Sequence, residues 1–333
     1  MATIREVSRL AGVSTATVSR VLNGTSKVAA PTRERVLQAI ATLDFTPNTF
    51  ARGLATNRSG GIGLTVNEIS SPYFGAVIHG VEQVVRARGM HLMVSSGNAD
   101  AALERASVEF LLQRRCDGLI VQADALPDEV LSELVQRGDV PVVVFGRSVA
   151  EIDDACVVAD NELGGTLATE HLLRYGHRHI GHITGPLSYA DARDRLGGYR
   201  RALETAGIAY DERYVVESTF REEGGHAAAH LLERAPELTA IFLANDQMAA
   251  GAIRTLREGG HAIPTDISVV GYDDVFLARY LTPTLTTVRQ PLVEMGRAAA
   301  DLLLARLDGE PREVMHRFDP ALVERQSVAR AAR

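Results

Sequence analysis

Ser14-Thr15-Ala16-Thr17-Val18-Ser19-Arg20-Val21-Leu22 is the stretch from which the organisation of this chain can be read. It follows an amphipathic segment, Thr3 to Ala11, and only Gly12 and Val13 lie between the two. Ile4, Val7, Leu10 and Ala11 fall on one helical face, and Val18, Val21 and Leu22 on another. Thr3 with Glu6 three residues on is a capping-box start, Ser14 suits the N-cap of the second helix, and Gly12 permits a sharp turn. Two short helices joined this tightly predict a helix-turn-helix, which can lay its second helix in a DNA major groove. The predicted outer face carries Thr15, Ala16, Thr17, Ser19 and Arg20. Small side chains let a helix approach base edges closely, and an arginine offers a two-pronged contact to guanine.

Outward from that motif, Asn23-Gly24 stops the helix, and Pro31 suits the first turn of a third one. Its Val36, Leu37, Ile40 and Leu43 can close a three-helix core. After Phe45-Thr46-Pro47-Asn48 comes a short helical stretch to Asn57. Gly53 within it costs about 1 kcal/mol of helix propensity relative to alanine, so the segment reads as a hinge that orders on binding.

Charge separates this head from the rest. The net charge of −7 conceals eight basic and three acidic residues in positions 1–60, or +5, against −12 for the remainder. A basic head on an acidic body is the footprint of a phosphate-binding module attached to something else. From Gly61 strands and helices alternate in two consecutive series, one before and one after Asp160. That rhythm predicts α/β architecture with parallel sheets in two lobes, and a ligand cleft at the carboxyl ends of the strands. A final helix, 291–307, precedes a tail expected to return to both lobes. The 333 residues leave room for two or three domains with sizeable cores. No stretch approaches a membrane span, and Cys116 and Cys156 read as buried thiols in a reducing compartment, so the expected location is the cytoplasm.

Other function classes fit poorly. A dehydrogenase would join strand to helix through a glycine fingerprint, whereas Gly60-Gly61-Ile62-Gly63 stands at the start of a strand. No phosphate-loop lysine motif exists, Lys27 being the only lysine. His177, His179 and His182 alternate along a loop-to-strand transition, which favours packing over metal binding. A secreted binding protein would have a signal peptide and no basic helix-turn-helix.

Residues 3–24 resemble the head of the lactose/galactose repressor family of bacterial transcription regulators. The likeness continues through Thr32-Arg33-Glu34-Arg35-Val36, Ala51-Arg52-Gly53-Leu54, Asp117-Gly118-Leu119-Ile120 and Gly176-His177-Arg178-His179-Ile180-Gly181. Asn245-Asp246, Val269-Val270-Gly271-Tyr272-Asp273-Asp274 and Leu285-Thr286-Thr287-Val288 complete it in the family's order. The resemblance implies a helix-turn-helix DNA-binding domain at 1–47, a hinge at 48–60, and a two-lobed core like the periplasmic binding proteins at 61–333. The N-lobe would be about 61–160 plus 291–318, and the C-lobe about 161–290 plus 319–333.

The resemblance further implies a homodimer on double-stranded operator DNA, most simply a repressor, controlled by a small effector such as a sugar, with no cofactor and no catalysis. Thr15 and Ala16 stand where family members choose bases, beside Thr17, Ser19, Arg20 and Asn23. Leu54 matches a leucine that wedges into the minor groove. Family positions in the cleft map onto Asn67, Tyr73, Phe74, Gln122 and Arg147 from the first lobe. Asp191, Arg195, Phe220, Asn245 and Asp273 come from the second. Carboxylates and amides take paired hydroxyls, an arginine forks between oxygens, and aromatic faces cover a sugar ring. Many sugar-binding relatives have an acidic residue where this chain has Gly146. No leucine heptad follows Leu322, so the expected assembly is a dimer and not a tetramer.

Overall fold

A computed structural model describes residues 2–22, 28–45, 59–310 and 314–331. The chain divides into two compact units, Met1–Gly60 and Gly61–Arg333. The expectations placed on Asn23, on Leu54 and on the hinge up to residue 58 lie outside the described residues.

Among its described residues the first unit holds α1 (Ile4–Ala11), α2 (Thr15–Leu22) and α3 (Ala30–Thr42). Thr3 caps α1 through the reciprocal capping box with Glu6, whose carboxyl is held below its ordinary pKa by the Thr3 backbone N–H and hydroxyl. Gly12 ends α1 at φ 64°, in the left-handed region, and the chain turns directly into α2. There Ser14 Oγ accepts the Thr17 backbone N–H at 3.2 Å. Val7, Ala11, Val18, Val21, Val36 and Ala39 form the buried centre. Two expectations need correcting: Leu10 and Leu37 are 54% and 52% exposed. Three short helices enclose a narrow seam, which Val7 with Ala11 and Val36 with Ala39 already fill, leaving the adjoining leucines outside.

The second unit contains two six-stranded sheets of matching topology. In the first lobe β1 (Gly61–Val66), β2 (His91–Ser96), β3 (Gly118–Val121), β4 (Val142–Phe145) and β5 (Cys156–Ala159) run parallel. Four helices serve this lobe: α4 (Pro72–Ala87), α5 (Ala101–Gln113), α6 (Asp128–Gln136) and, from the far end of the chain, α11 (Leu292–Asp308). Strand side chains alternate between two cores. Ile62, Leu64 and Ile120 pack with α4 and α11, while Leu119 and Val121 pack with α5 and α6.

The second lobe has parallel strands β6 (Ile180–Thr184), β7 (Val215–Glu217), β8 (Ala240–Leu243), β9 (Ser268–Asp273) and β10 (Thr286–Arg289). α7 (Asn161–Arg174) and α8 (Ala190–Thr205) cover one face, and α9 (Ala227–Arg234) with α10 (Asp246–Glu258) the other. The tail does return to both lobes. β11 (Arg317–Phe318) adds parallel to β5, and β12 (Ala321–Val323) antiparallel to β10. The stretch 222–234, whose residues carry a helical pattern of polarity, is a 3-10 segment, Glu222–His226, followed by α9. Its Gly225 lies so close to α10 that an added Cβ would sit 2.1 Å from the Met248 carbonyl oxygen.

Candidate functional site in the cleft and on the second helix

In each sheet the strand order reverses once. β1 lies between β2 and β3, and β6 lies between β7 and β8. Connections on either side of such a point leave in opposite directions and open a crevice at the carboxyl ends of the strands. Asn67 follows β1, Gln122 follows β3, and Arg147 follows β4 by one residue more. Across from them Asn245 follows β8, Asp273 ends β9, and Phe220 comes from the loop after β7. Tyr73 and Phe74 enter on the first turn of α4, and Asp191 and Arg195 on the first turns of α8. All ten expected residues line one cavity of about 280 Å³.

Arg195 is the fixed centre of the second-lobe wall. It is 3% exposed, donating from Nε to Asn161 Oδ1 at 2.9 Å and from a terminal nitrogen to Asp191 at 3.1 Å. Another terminal nitrogen reaches the Ala244 carbonyl at 2.5 Å. The guanidinium lies 4.0 Å from the centre of the Tyr272 ring and 5.5 Å from that of Phe220. Burial opposes its charge, but Asp191 and further neighbours outweigh it and raise its pKa. α8 is seated tightly enough to aim this side chain because glycines face it, an added Cβ at Gly165 lying 2.2 Å from the Arg195 carbonyl oxygen.

Asp273 adopts φ 101°, in the left-handed region, and its Oδ1 accepts the Gln290 side-chain amide at 2.7 Å. Burial pushes its carboxyl up to about 7, against Arg195 and the Gln290 hydrogen bond. Asn245 has a structural duty beside its place in the wall. Its Oδ1 caps α10 by accepting Met248 N–H at 2.8 Å, and its Nδ2 donates to the Phe220 carbonyl at 2.7 Å. Tyr73 and Phe74 meet edge to face, with ring centroids 4.9 Å apart.

The first-lobe wall holds a group that the sequence did not single out. Asp124 lines the cavity, and its Oδ2 accepts the Gln122 amide at 2.9 Å and the Asn67 amide in a shorter contact. Buried Glu104 pins the loop beneath it, taking the backbone N–H groups of Asp124, Ala125 and Leu126 at 2.8 to 3.2 Å. Burial, then Asp191, push Asp124 up to about 7 despite the two amide hydrogen bonds. Gly146 also lines the cavity at φ 93°, in the left-handed region that favours glycine. Asn67 Oδ1, Gln122 Oε1 and Arg147 Nε are buried without a hydrogen-bond partner. Among the described residues, Arg221 meets Glu68 across the lobes at 3.2 Å and Ser71 meets Gln247 at 3.2 Å.

On the head, Thr15, Ala16 and Arg20 are exposed, whereas Thr17 and Ser19 are half-buried. The Thr17 hydroxyl lies 3.0 Å from Ser14 Oγ, so this threonine helps to start α2. The histidines each have a place of their own. His177 contacts Thr239 and the Ala329 carbonyl, His179 contacts Tyr214, and His182 stacks on Phe242 with 4.4 Å between centroids. No helix among the described residues is long and apolar enough to cross a membrane.

Comparison with known proteins bears on both sites. Residues 3–48 match the family described as bacterial regulatory proteins, lacI family, and residues 169–328 match the periplasmic binding protein-like domain. The chain is 42% identical over 332 residues to the HTH-type transcriptional regulator GalR of Escherichia coli (strain K12), covering 99% of this chain and 96% of that one. It is 40% identical to the HTH-type transcriptional repressor PurR of Edwardsiella ictaluri (strain 93-146), covering 99% and 97%. Among solved structures it resembles the lac repressor dimer bound to operator and the anti-inducer ONPF, with a TM-score of 0.88, 31% identity, and 98% and 99% of the two chains covered. It also resembles a complex of the transcriptional regulator CelR with cellobiose, with a TM-score of 0.73, 35% identity, and 98% and 100% covered.

Proposed function

The chain belongs to the lacI family of bacterial regulatory proteins, and from that premise we propose that its cleft binds a sugar or a closely related polyhydroxy metabolite. It is a DNA-binding transcriptional regulator controlled by a small effector, and not an enzyme. The observation that carries the effector class is the convergence of ten residues from two lobes on one cavity of about 280 Å³, close to the lower end of the usual size for small-molecule sites. Carboxylates, amides with unpartnered oxygens and the aromatic residues Tyr73, Phe74 and Phe220 there match the donors and the apolar faces of a sugar ring. Asp273 and Arg195 act as the principal contacts, with Asn67, Gln122, Arg147, Asp191 and Asn245 as further polar partners. Tyr73, Phe74 and Phe220 cover the ring.

Thr15, Ala16 and Arg20 read bases, and Ser19 adds a contact at the edge of the same face, in a homodimer acting in the cytoplasm as a repressor. The CelR structure holds cellobiose and the lac repressor structure is an operator-bound dimer, which supports this reading. Two measurements test it. Operator selection from random duplexes should yield a palindromic site for the full chain and none for residues 61–333. A thermal-shift screen of sugars and nucleosides should find a sugar that stabilises both proteins. Specific DNA binding by the fragment would remove the head from the assignment, and stabilisation by nucleosides alone would replace the effector class.

A further inference from the structure

We propose that Asp124 turns the first-lobe wall of the cleft into a hydrogen-bond-accepting surface that selects neutral, hydroxyl-rich ligands and rejects their phosphorylated or carboxylated analogues. This rests on the sugar reading above and narrows it.

A carboxylate only accepts hydrogen bonds, whereas a side-chain amide can present either end. Asp124 therefore decides how its two neighbours face. Both Asn67 and Gln122 turn their N–H groups to Asp124 Oδ2, and this leaves Asn67 Oδ1 and Gln122 Oε1 buried without partners in the cavity wall. A buried acceptor without a donor is costly, so a small shift of either side chain that brings its oxygen to a ligand hydroxyl gains its satisfaction. The arrangement does not depend on a mobile side chain. Glu104 holds three successive backbone N–H groups of the Asp124 loop, and the loop holds the carboxylate.

The charges in the cleft point the same way. Each arginine lining it faces a carboxylate of the protein: Arg195 faces Asp191 at 3.1 Å, Arg147 faces Asp128 at 3.1 Å, and Arg221 faces Glu68 at 3.2 Å. Asp124 and Asp273, by contrast, receive their side-chain hydrogen bonds from neutral amides. An anionic ligand would meet two carboxylates and would have to strip an arginine from its partner to find a cation. Arg147 Nε is a further donor of this wall that is buried without a hydrogen-bond partner, and it suits a neutral hydroxyl or ring oxygen.

Isothermal titration of the full chain at pH 8 tests the proposal, with three sets of probes. These are cellobiose, ribose and the common hexoses; the phosphates and uronic acids of the same sugars; and purine nucleosides. The expected result is binding of a neutral sugar, with its phosphate and its acid at least about tenfold weaker. In Asp124→Asn the two amides can turn over, so affinity for that neutral sugar should fall about tenfold while the gap to the anionic analogues narrows. The narrowing separates a selecting role from a merely structural one, because general damage to the cleft would weaken all probes alike. Should Asp124→Asn not fold, Asp124→Ser serves for the same comparison. Wild-type protein that binds a phosphate or acid as tightly as the neutral parent would overturn the proposal and leave the sugar reading standing. An unchanged neutral-to-anion ratio in the variant would do the same. Binding of nucleosides with no sugar bound, or of no probe at all, would overturn the sugar reading and this proposal with it.

Discussion

Asp124 and Asp273 stand in opposite walls of the cleft, and both carboxyls are pushed up to about 7, chiefly by burial. The groups facing them make the sign of any pH effect plain. Asp191 and Glu104 raise Asp124, and Asn67 and Gln122 hold it down. Arg195 and Gln290 hold Asp273 down, and Asp191 raises it. A ligand hydroxyl that donates to either carboxylate favours the ionised form, so binding should expel protons and affinity should rise with pH. For one such group the expected gain between pH 6 and pH 8 is about tenfold. Titration calorimetry in buffers of different ionisation heat reads the proton release directly, and identical affinity at both pH values without proton exchange would refute it. In the ligand-free core the same raised carboxyls act oppositely. Their contribution to stability is full below the unfolded value of about 4 and is lost as the pH passes 7. Asp273 was legible in the sequence because it sits in a stretch that resembles the family, and Arg195 because a cleft position of the family maps onto it. Asp124 was not, because its meaning comes from Asn67, Gln122 and Glu104, which the fold gathers from three separate elements.

Among the elements, the turn between α1 and α2 is the one that local sequence determines most fully. Gly12 at φ 64° has nothing within 4 Å of the position a Cβ would take, so a substitution there meets backbone strain and no clash. Gly12→Ala should destabilise the head by about 1–2 kcal/mol, and Gly12→Asn by less, since asparagine enters the left-handed region more readily. Amide exchange in α1 and α2 measures the effect, and protection unchanged in both variants would show that the turn does not limit the head. Elements whose identity depends on a partner were harder to read. β11 and β12 have two and three residues, and become strands only because β5 and β10 lie beside them. Residues 222–226 carry a helical pattern of polarity, but Gly224 and Gly225 fit against the Thr219 and Met248 carbonyls, and that close approach is compatible with the tighter 3-10 turn found there. Leu10 and Leu37 were misread for a related reason. Periodicity marks an apolar face but not how wide a seam two neighbouring short helices can cover.

Over the whole molecule, the chain passes between the lobes from β5 into α7, from β10 into α11, and from β11 into β12. Two side chains at these passages hold cavity-lining groups of the second lobe. Asn161, the first residue of α7, accepts from Arg195 Nε, and Gln290, just after β10, donates to Asp273 at 2.7 Å. A ligand that draws Arg195 or Asp273 towards itself therefore acts on residues that mark the routes between lobes. A ligand shifts a conformational equilibrium only through its differential affinity for the states, and contacts that reach the passages supply such a difference. Gln290→Met keeps the length of the side chain and removes its donor. It should reduce the effector's influence on DNA binding even when the effector is saturating, beyond any loss of effector affinity. The measurement is operator affinity with and without saturating effector, for wild type and variant, compared as a ratio. A ratio that moves towards one in the variant, with operator affinity of the unliganded protein kept, places Gln290 in the coupling. A ratio equal to that of wild type would confine Gln290 to shaping the cleft, and the lobe equilibrium would then have to be set by the contacts joining the two lobes, Glu68 with Arg221 and Ser71 with Gln247.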